Sequence, residues 1–258
     1  MKIIFVGDIV GSGGRDILKR MLPDLIKTES ADFIIANGEN AAQGKGITPK
    51  VAKEIFEAGV NVITLGNHAF ARSEVIDVLA GNNVLRPANY PKTVQGKGYG
   101  IFESSNGKKV AVINLMGRVF MPVVDCPFAL AEQIVPNLSN TTKIIVVDFH
   151  AEATSEKIAT GLYLDGKVSA VLGTHTHVPT ADEKILKGGT AYITDVGMTG
   201  PSEGVIGTKA DAVIDRFLTG IYRPFTLAYG KNVFQGCVME IDDETGKALN
   251  IKRFSFSD

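Results

Sequence analysis

The 258-residue chain has no tryptophan, only two cysteines and four histidines, and almost no net charge. Each scarcity excludes something. Cys126 and Cys237 lie far apart without a CxxC, so neither a disulfide framework nor a thiolate metal site is expected, and both read as small apolar residues. With 27 basic residues against 28 acidic ones, the net charge of −1 lacks the field that grips long nucleic acid. A small substrate is expected instead. Lys2 to Val6 is too short for a signal-peptide core, and no run approaches the roughly eighteen apolar residues of a membrane span. The expectation is a cytoplasmic protein with no membrane partner. A chain that is 45% hydrophobic can bury a substantial core, and one domain spanning 1–258 is expected.

What is present is an alternation of β-branched apolar runs with helical patterns, which predicts βαβ units and a largely parallel sheet. Strands are read at Lys2 to Val6, Phe33 to Ala36 and Val60 to Leu65, then Lys109 to Leu115, Lys143 to Phe149, Val168 to Leu172 and Thr190 to Thr194. Helices are read from Arg15 to Lys27, where Pro23 kinks or shortens the pattern, from Thr48-Pro49 to the closing Gly59, from Ser73 to Leu79 and from Lys209 to Leu218. The C-terminal part changes character: Phe225 to Tyr229, Val233 to Ile241 and Leu249 to Phe256 read as antiparallel strands, the last two joined by a turn at Asp242 to Gly246. Two sheets packed face to face with helices outside would bring both sets of strand ends to one rim.

All four histidines sit at such ends. His68 follows Gly66-Asn67, His150 follows Asp148-Phe149, and His175 and His177 share the loop Gly173-Thr174-His175-Thr176-His177. Asp8, Glu39, Asn40 and Asn67 end other strands. Polar residues beyond the carboxyl ends of parallel strands are where open α/β sheets place ligands. Taken singly, Asp8 is a plausible helix cap, Asn40 and Asn67 are turn formers, and His150 is an ordinary buried histidine. The recurrence at so many strand ends is what these readings leave unexplained, and it points to a metal site.

A pair of dications needs an anionic bridge to offset their repulsion, and Glu39 is the candidate. Asp8 and His177, with Asn40 as a further candidate, would complete one metal; Asn67, His150 and His175 would complete the other. Mixed oxygen and nitrogen donors suit iron or manganese, with zinc as an alternative, better than calcium or magnesium. If His175-Thr176-His177 is extended, its two imidazoles point the same way and each can reach a different metal. Gly7, Gly11, Gly13 and Gly14 raise a nucleotide-binding alternative, but no G-x-G-x-x-G opens the helix. Gly11 to Gly14 read as a tight loop whose free amides help to hold a phosphate. Asn114, Arg118, Thr154 and Ser155 are further polar candidates.

These residues, in this order, resemble the calcineurin-like metallophosphoesterases. Asn37-Gly38-Glu39-Asn40-Ala41-Ala42, Arg86-Pro87-Ala88-Asn89, the segment Asp148 to Lys157 and the segment Thr194 to Pro201 resemble the bacterial YmdB-type branch nearly end to end. The resemblance implies a four-layer α/β/β/α sandwich and a centre of two transition-metal ions, di-iron or di-manganese. It also implies hydrolysis of small phosphodiesters, 2′,3′- and 3′,5′-cyclic nucleotides among them, by metal-activated water. Matched by motif, it places Asp8, Glu39, Asn40 and His177 at one metal, Glu39, Asn67, His150 and His175 at the other, and His68 as proton donor. A related phosphomonoesterase or nucleotidase, and a non-catalytic nucleotide sensor, are the other readings, and homo-oligomer formation is left open. One segment departs from the pattern. Where an acidic residue commonly follows Gly-Asn-His, this chain has Ala69-Phe70-Ala71-Arg72, so another group must orient His68; Glu74 is the candidate, with Arg72 acting against it.

Overall fold

In the computed structural model, which covers residues 1–258, the first strand already shows the architecture. Ile4 and Val6 face one apolar cluster, Ile3 and Phe5 face another, and all four are fully buried. Side chains alternate across a strand, so a strand apolar on both faces needs cover on both.

The first sheet comprises β1 (Lys2–Val6), β2 (Asp8–Ile9), β3 (Phe33–Asn37), β4 (Val62–Thr64) and β5 (Val84–Leu85), with α1 (Gly11–Glu29), α2 (Pro49–Glu57) and α3 (Val75–Leu79) packed on one face. The second comprises β6 (Tyr99–Glu103), β7 (Lys109–Met116), β8 (Ile145–His150), β9 (Ala170–Thr174), β10 (Lys184–Ile185) and β11 (Ala191–Ile193) in the order β10-β11-β9-β8-β7-β6. The helices α4 (Pro127–Ser139) and α5 (Thr154–Leu164) accompany it. The chain then returns to the first sheet through β12 (Met198–Pro201), α6 (Ala210–Thr219), β13 (Asn232–Ile241) and β14 (Ala248–Ser257). Its order is β2-β12-β13-β1-β3-β4-β5, with β14 on β13.

Three apolar clusters separate four layers. Ile17, Leu18 and Leu22 of α1 lie against the outer face of the first sheet. Phe5, Phe33 and Ile35 meet Val110, Val112 and Val146 between the sheets. Ala111, Ile113 and Val147 face Ile134, Val135 and Leu138 of α4 on the far side. The fold is thus the expected α/β/β/α sandwich with a C-terminal antiparallel segment. Asn114 stitches the sheets together, since its Nδ2 donates to the Leu65 and Leu85 carbonyls at 2.6 and 2.9 Å. It is structural rather than a substrate contact.

Several expectations are corrected. Gly11 to Gly14 form the first turn of α1, not a free loop: the Gly11 N–H donates to Asn40 O at 3.0 Å and the Gly14 N–H to Val10 O at 3.1 Å, so neither amide is free for a phosphate. Glycine is a poor helix former, but a side chain at Gly14 would strike the Thr199 carbonyl. The helix also runs through Pro23. Phe225 to Tyr229 is no strand; only Leu227 bridges, to Thr208. The helices α4 and α5 and the edge strand β6 add to the expected elements. No helix is long and apolar enough to cross a membrane.

Candidate metal centre

The strands β1, β3, β4, β8 and β9 end at one rim, and the residues that follow them converge there. His150 Nε2 lies 3.1 Å from Glu39 Oε1, 3.0 Å from Asn67 Oδ1 and 3.1 Å from His175 Nδ1. Donor atoms from three strand ends therefore surround an imidazole nitrogen carried by a fourth. Those of Glu39, His150 and His175 fall within 4.8 Å of one another, a spacing that a single cation can span. Gly66 makes room for this, because a Cβ there would overlap the His150 ring and the Glu39 carboxylate.

Beside this group lies a looser one. Asp8 is fully buried; its Oδ2 accepts the His175 N–H at 3.2 Å, while Oδ1 has no hydrogen-bond partner and lies 3.9 Å from both His150 Nδ1 and His177 Nε2. Asn40 repeats the pattern. Its Nδ2 donates to Gly44 O at 2.9 Å, and its Oδ1 is buried and unpartnered. Buried oxygens without donors are costly unless something else satisfies them, and two of them beside imidazole and carboxylate groups fit a cation.

The rings are oriented from behind. Thr174 Oγ1 donates to Asp148 Oδ1 at 2.7 Å and so accepts from His150 Nδ1 at 2.9 Å, which keeps the proton on Nδ1 and frees Nε2 for the site. Asp148 also accepts from Thr64 Oγ1 and Asn37 Nδ2, at 2.5 and 3.0 Å. His177 Nδ1 donates to Ile206 O at 3.0 Å, likewise freeing its Nε2. His175 Nε2 lies 3.1 Å from Glu152 Oε2.

Charge is distributed unevenly. Burial pushes the Asp8 carboxyl up to about 6, against the pull of His177 and His150. Burial also opposes charge on His150, yet Glu39, Asp8 and Asp148 outweigh it and raise the imidazole to about 9. Glu39, despite the opposing effect of its own burial, is held well below the usual carboxylate range by His150 and His68. His175 falls to about 3 through burial and the charge of His150. Without metal, His150 thus holds the proton against an ionised Glu39 while His175 stays neutral.

The His175-Thr176-His177 segment is not extended. His175 has φ 98° and His177 φ 64°, so both occupy backbone regions that non-glycine residues rarely adopt. The two imidazoles reach different partners because the chain turns, not because side chains alternate. Thr176 between them is anchored to Asp195 Oδ2, which accepts its N–H at 3.1 Å and its hydroxyl at 2.6 Å.

His68 lies at the edge. Its backbone N–H donates to Glu39 Oε2 at 3.0 Å, and its Nε2 is 3.4 Å from Asn67 Nδ2. Burial lowers its pKa, Glu39 raises it, and Lys45, His150 and His177 lower it further. Glu74 does not compensate for the missing carboxylate: it is exposed and accepts from Ser73 Oγ. Nor is Arg72 the opposing cation, since its guanidinium donates to the Ala42 and Lys45 carbonyls and to Gln43. Glu39 and Lys45 take those two parts. Arg118, Thr154 and Ser155 lie on loops or at the start of α5, with Arg118 exposed and its N–H bound to Glu156.

Asp148, Lys157 and Asp195 also support the site, a role beyond the expected set. The available signal was charge among apolar neighbours: Asp148 interrupts Ile145-Val146-Val147, and Lys157 shares the buried side of α5 with Thr160, Gly161 and Leu164.

A four-layer α/β/β/α sandwich that gathers carboxylate, amide and imidazole donors at the carboxyl ends of its parallel strands is of the metallophosphoesterase type. The chain belongs to the YmdB-like protein family, whose profile matches residues 4–254. It is 49% identical over 259 residues to the 2′,3′-cyclic-nucleotide 2′-phosphodiesterase of Bacillus subtilis strain 168, covering 100% of this chain and 98% of that one. Among solved structures, a hypothetical protein from Thermus thermophilus superposes with a TM-score of 0.94 at 41% identity, covering 100% of both chains. A novel phosphatase from Mycoplasma pneumoniae does so with a TM-score of 0.94 at 37% identity, covering 100% of this chain and 93% of that one.

Proposed function

We propose that the protein is a metal-dependent phosphodiesterase that opens 2′,3′-cyclic nucleotides, with 3′,5′-cyclic nucleotides as further substrates. The observation that carries this reading is the convergence of Glu39, Asn67 and His175 on His150 Nε2, beside the unpartnered Asp8 and Asn40 oxygens. Asp8, Asn40 and His177 would hold one ion and Asn67, His150 and His175 the other, with Glu39 between them. Two transition-metal ions there, iron or manganese before zinc, would supply Lewis acidity toward the phosphoryl oxygens and toward water. Water adds to phosphorus, the P–O2′ bond breaks, and the departing O2′ takes a proton. His68, next to the ligand Asn67 and half-buried, supplies that proton. Glu39 orients His68 through the backbone N–H and favours its charged form. The near-zero net charge suits a small diester better than a polynucleotide.

Protein purified under reducing, anaerobic conditions should contain about two transition-metal ions per chain and hydrolyse 2′,3′-cyclic AMP. Linear dinucleotides and 3′-AMP, assayed under the same metal condition, separate a cyclic-diester enzyme from a general diesterase and from a phosphomonoesterase. Less than one ion per chain, or undiminished activity in His175→Ala, would sink the reading.

A further inference from the structure

Beside His68 and His177 opens a cavity of about 610 Å³ that Asn40 also lines. Part of its remaining wall comes from α6 and the segment 225–227, beside the 43–45 loop and the turn at 205–208. Every charged side chain on this lining is cationic: Lys45, Arg72 and Arg216. No aspartate or glutamate faces it. The rest is largely apolar, with Phe225 beside Arg216, whose guanidinium carbon lies 5.2 Å from the Phe225 ring centroid. Leu227 fills the space above Gly11 and Gly44, where an added Cβ would meet it.

This wall is tied to the candidate metal centre. Ile206, whose carbonyl holds His177 Nδ1, starts a tight turn with φ 46°, followed by Gly207 at 88°. That turn carries the 225–227 segment: the Lys209 N–H donates to Thr226 O and the Ala228 N–H to Gly207 O, both at 2.9 Å. A metal ligand and the aromatic wall thus share one hydrogen-bonded loop pair.

The volume is that of a pocket for a nucleotide-sized ligand. The end near His68 and His177 suits the phosphate, and the other end combines an aromatic ring with a planar guanidinium. Ring and guanidinium faces accept any base by stacking, without reading its edge. Building on the phosphodiesterase reading, we propose that this cavity is the nucleoside end of the substrate site, with the base stacked on the platform formed by Phe225 and the Arg216 guanidinium packed against it. Recognition there is by shape and charge, so adenine, guanine, cytosine and uracil are all accepted.

The test compares 2′,3′-cyclic AMP with methyl β-D-ribofuranoside 2′,3′-cyclic phosphate, which has the same reacting diester and no base. Metal-loaded wild-type protein should favour the nucleotide in kcat/KM by about tenfold or more, as one stacked base implies. Phe225→Ala should collapse that preference through KM, and Phe225→Trp should restore it. A wild-type protein that does not distinguish the two substrates, or an alanine variant that loses both in proportion, overturns the nucleoside platform while leaving the hydrolase reading intact. If neither substrate is hydrolysed, the hydrolase reading fails by itself. The platform is then decided by titration with 3′-AMP, where about tenfold weaker binding by Phe225→Ala supports it and equal binding overturns it.

Discussion

Lys157 Nζ lies 2.7 Å from Asp195 Oδ2, with at most 1% of either side chain exposed, and the same carboxylate oxygen takes both donors of Thr176. An ion pair in the interior therefore fixes the residue between two histidines in unfavourable backbone conformations. The other Asp195 oxygen accepts the Gly197 N–H at 2.9 Å, so the carboxylate ties the histidine loop to the start of β12. Removing Asp195 would leave an ammonium buried without a partner, at a cost of about 3–5 kcal/mol. Asp195→Ala should lower the melting temperature by roughly 6–20 °C and reduce metal retention at temperatures where it is still folded. Lys157→Met should keep more metal, because Asp195 still holds Thr176 and Gly197. Calorimetry with elemental analysis checks this; full metal affinity in Asp195→Ala would mean that the loop is anchored otherwise.

Gly66 supplies a sharper probe of the centre. A Cβ there would have the His150 ring and the Glu39 carboxylate as its nearest neighbours. Gly66→Ala should weaken metal binding by about tenfold or more, in the range seen when supporting contacts of ligands are disturbed. Its circular dichroism should match that of the wild type. Unaltered metal affinity would show that His150 and Glu39 do not act together.

Protons must leave for metal to enter. At neutral pH the metal-free site carries a proton on His150, which is raised to about 9, while His175, lowered to about 3, has none to give. Calorimetric titration with Mn²⁺ at pH 7 in buffers of different ionisation enthalpy should report release of about one proton per chain. The affinity should climb as pH rises toward 9, and below about 6 Asp8 adds a second proton. Stability of the metal-free protein runs the other way. The His150 contribution is complete below the unfolded histidine pKa, near 6.5, and is lost as pH rises through about 9. Metal uptake without proton exchange would contradict this charge arrangement.

Much of this arrangement is legible in the sequence. Polar residues that end the apolar strands of a parallel sheet lie at its rim, so the sequence alone brings Asp8, Glu39, Asn67 and His150 to the place where they converge. What was hidden is non-local or conformational. The strand β13 inserts between β1 and β12, with Ile4 opposite Val238, a pairing that no local pattern encodes. Pro127 and Pro136 obscured α4, and the glycines of α1 imitated a loop because their need for close packing outweighs their poor propensity. The shape of the histidine loop depends on Asp195, contributed from beyond β11, so the extended reading of His175 to His177 was wrong for a reason outside that segment.

At His68, the proposed proton donor, chemistry and sequence pull apart. His68 lacks the adjacent carboxylate common after Gly-Asn-His; Ala69 is fully buried in its place, and Phe70 packs edge-on against Tyr90 at 5.3 Å. The position is filled by apolar packing, and only Glu39 counters the burial and the neighbouring positive charges that lower the His68 pKa. A weakly held proton matters only when the leaving group needs one. His68→Ala should therefore lower turnover of 2′,3′-cyclic AMP by about a hundredfold, at the low end for general-acid catalysis, with metal content unchanged. Bis(p-nitrophenyl) phosphate, whose phenolate departs without protonation, should lose less than about threefold, because no general-acid contribution is at stake. Equal losses on both substrates would assign His68 to binding or positioning, and loss of metal would make it a ligand.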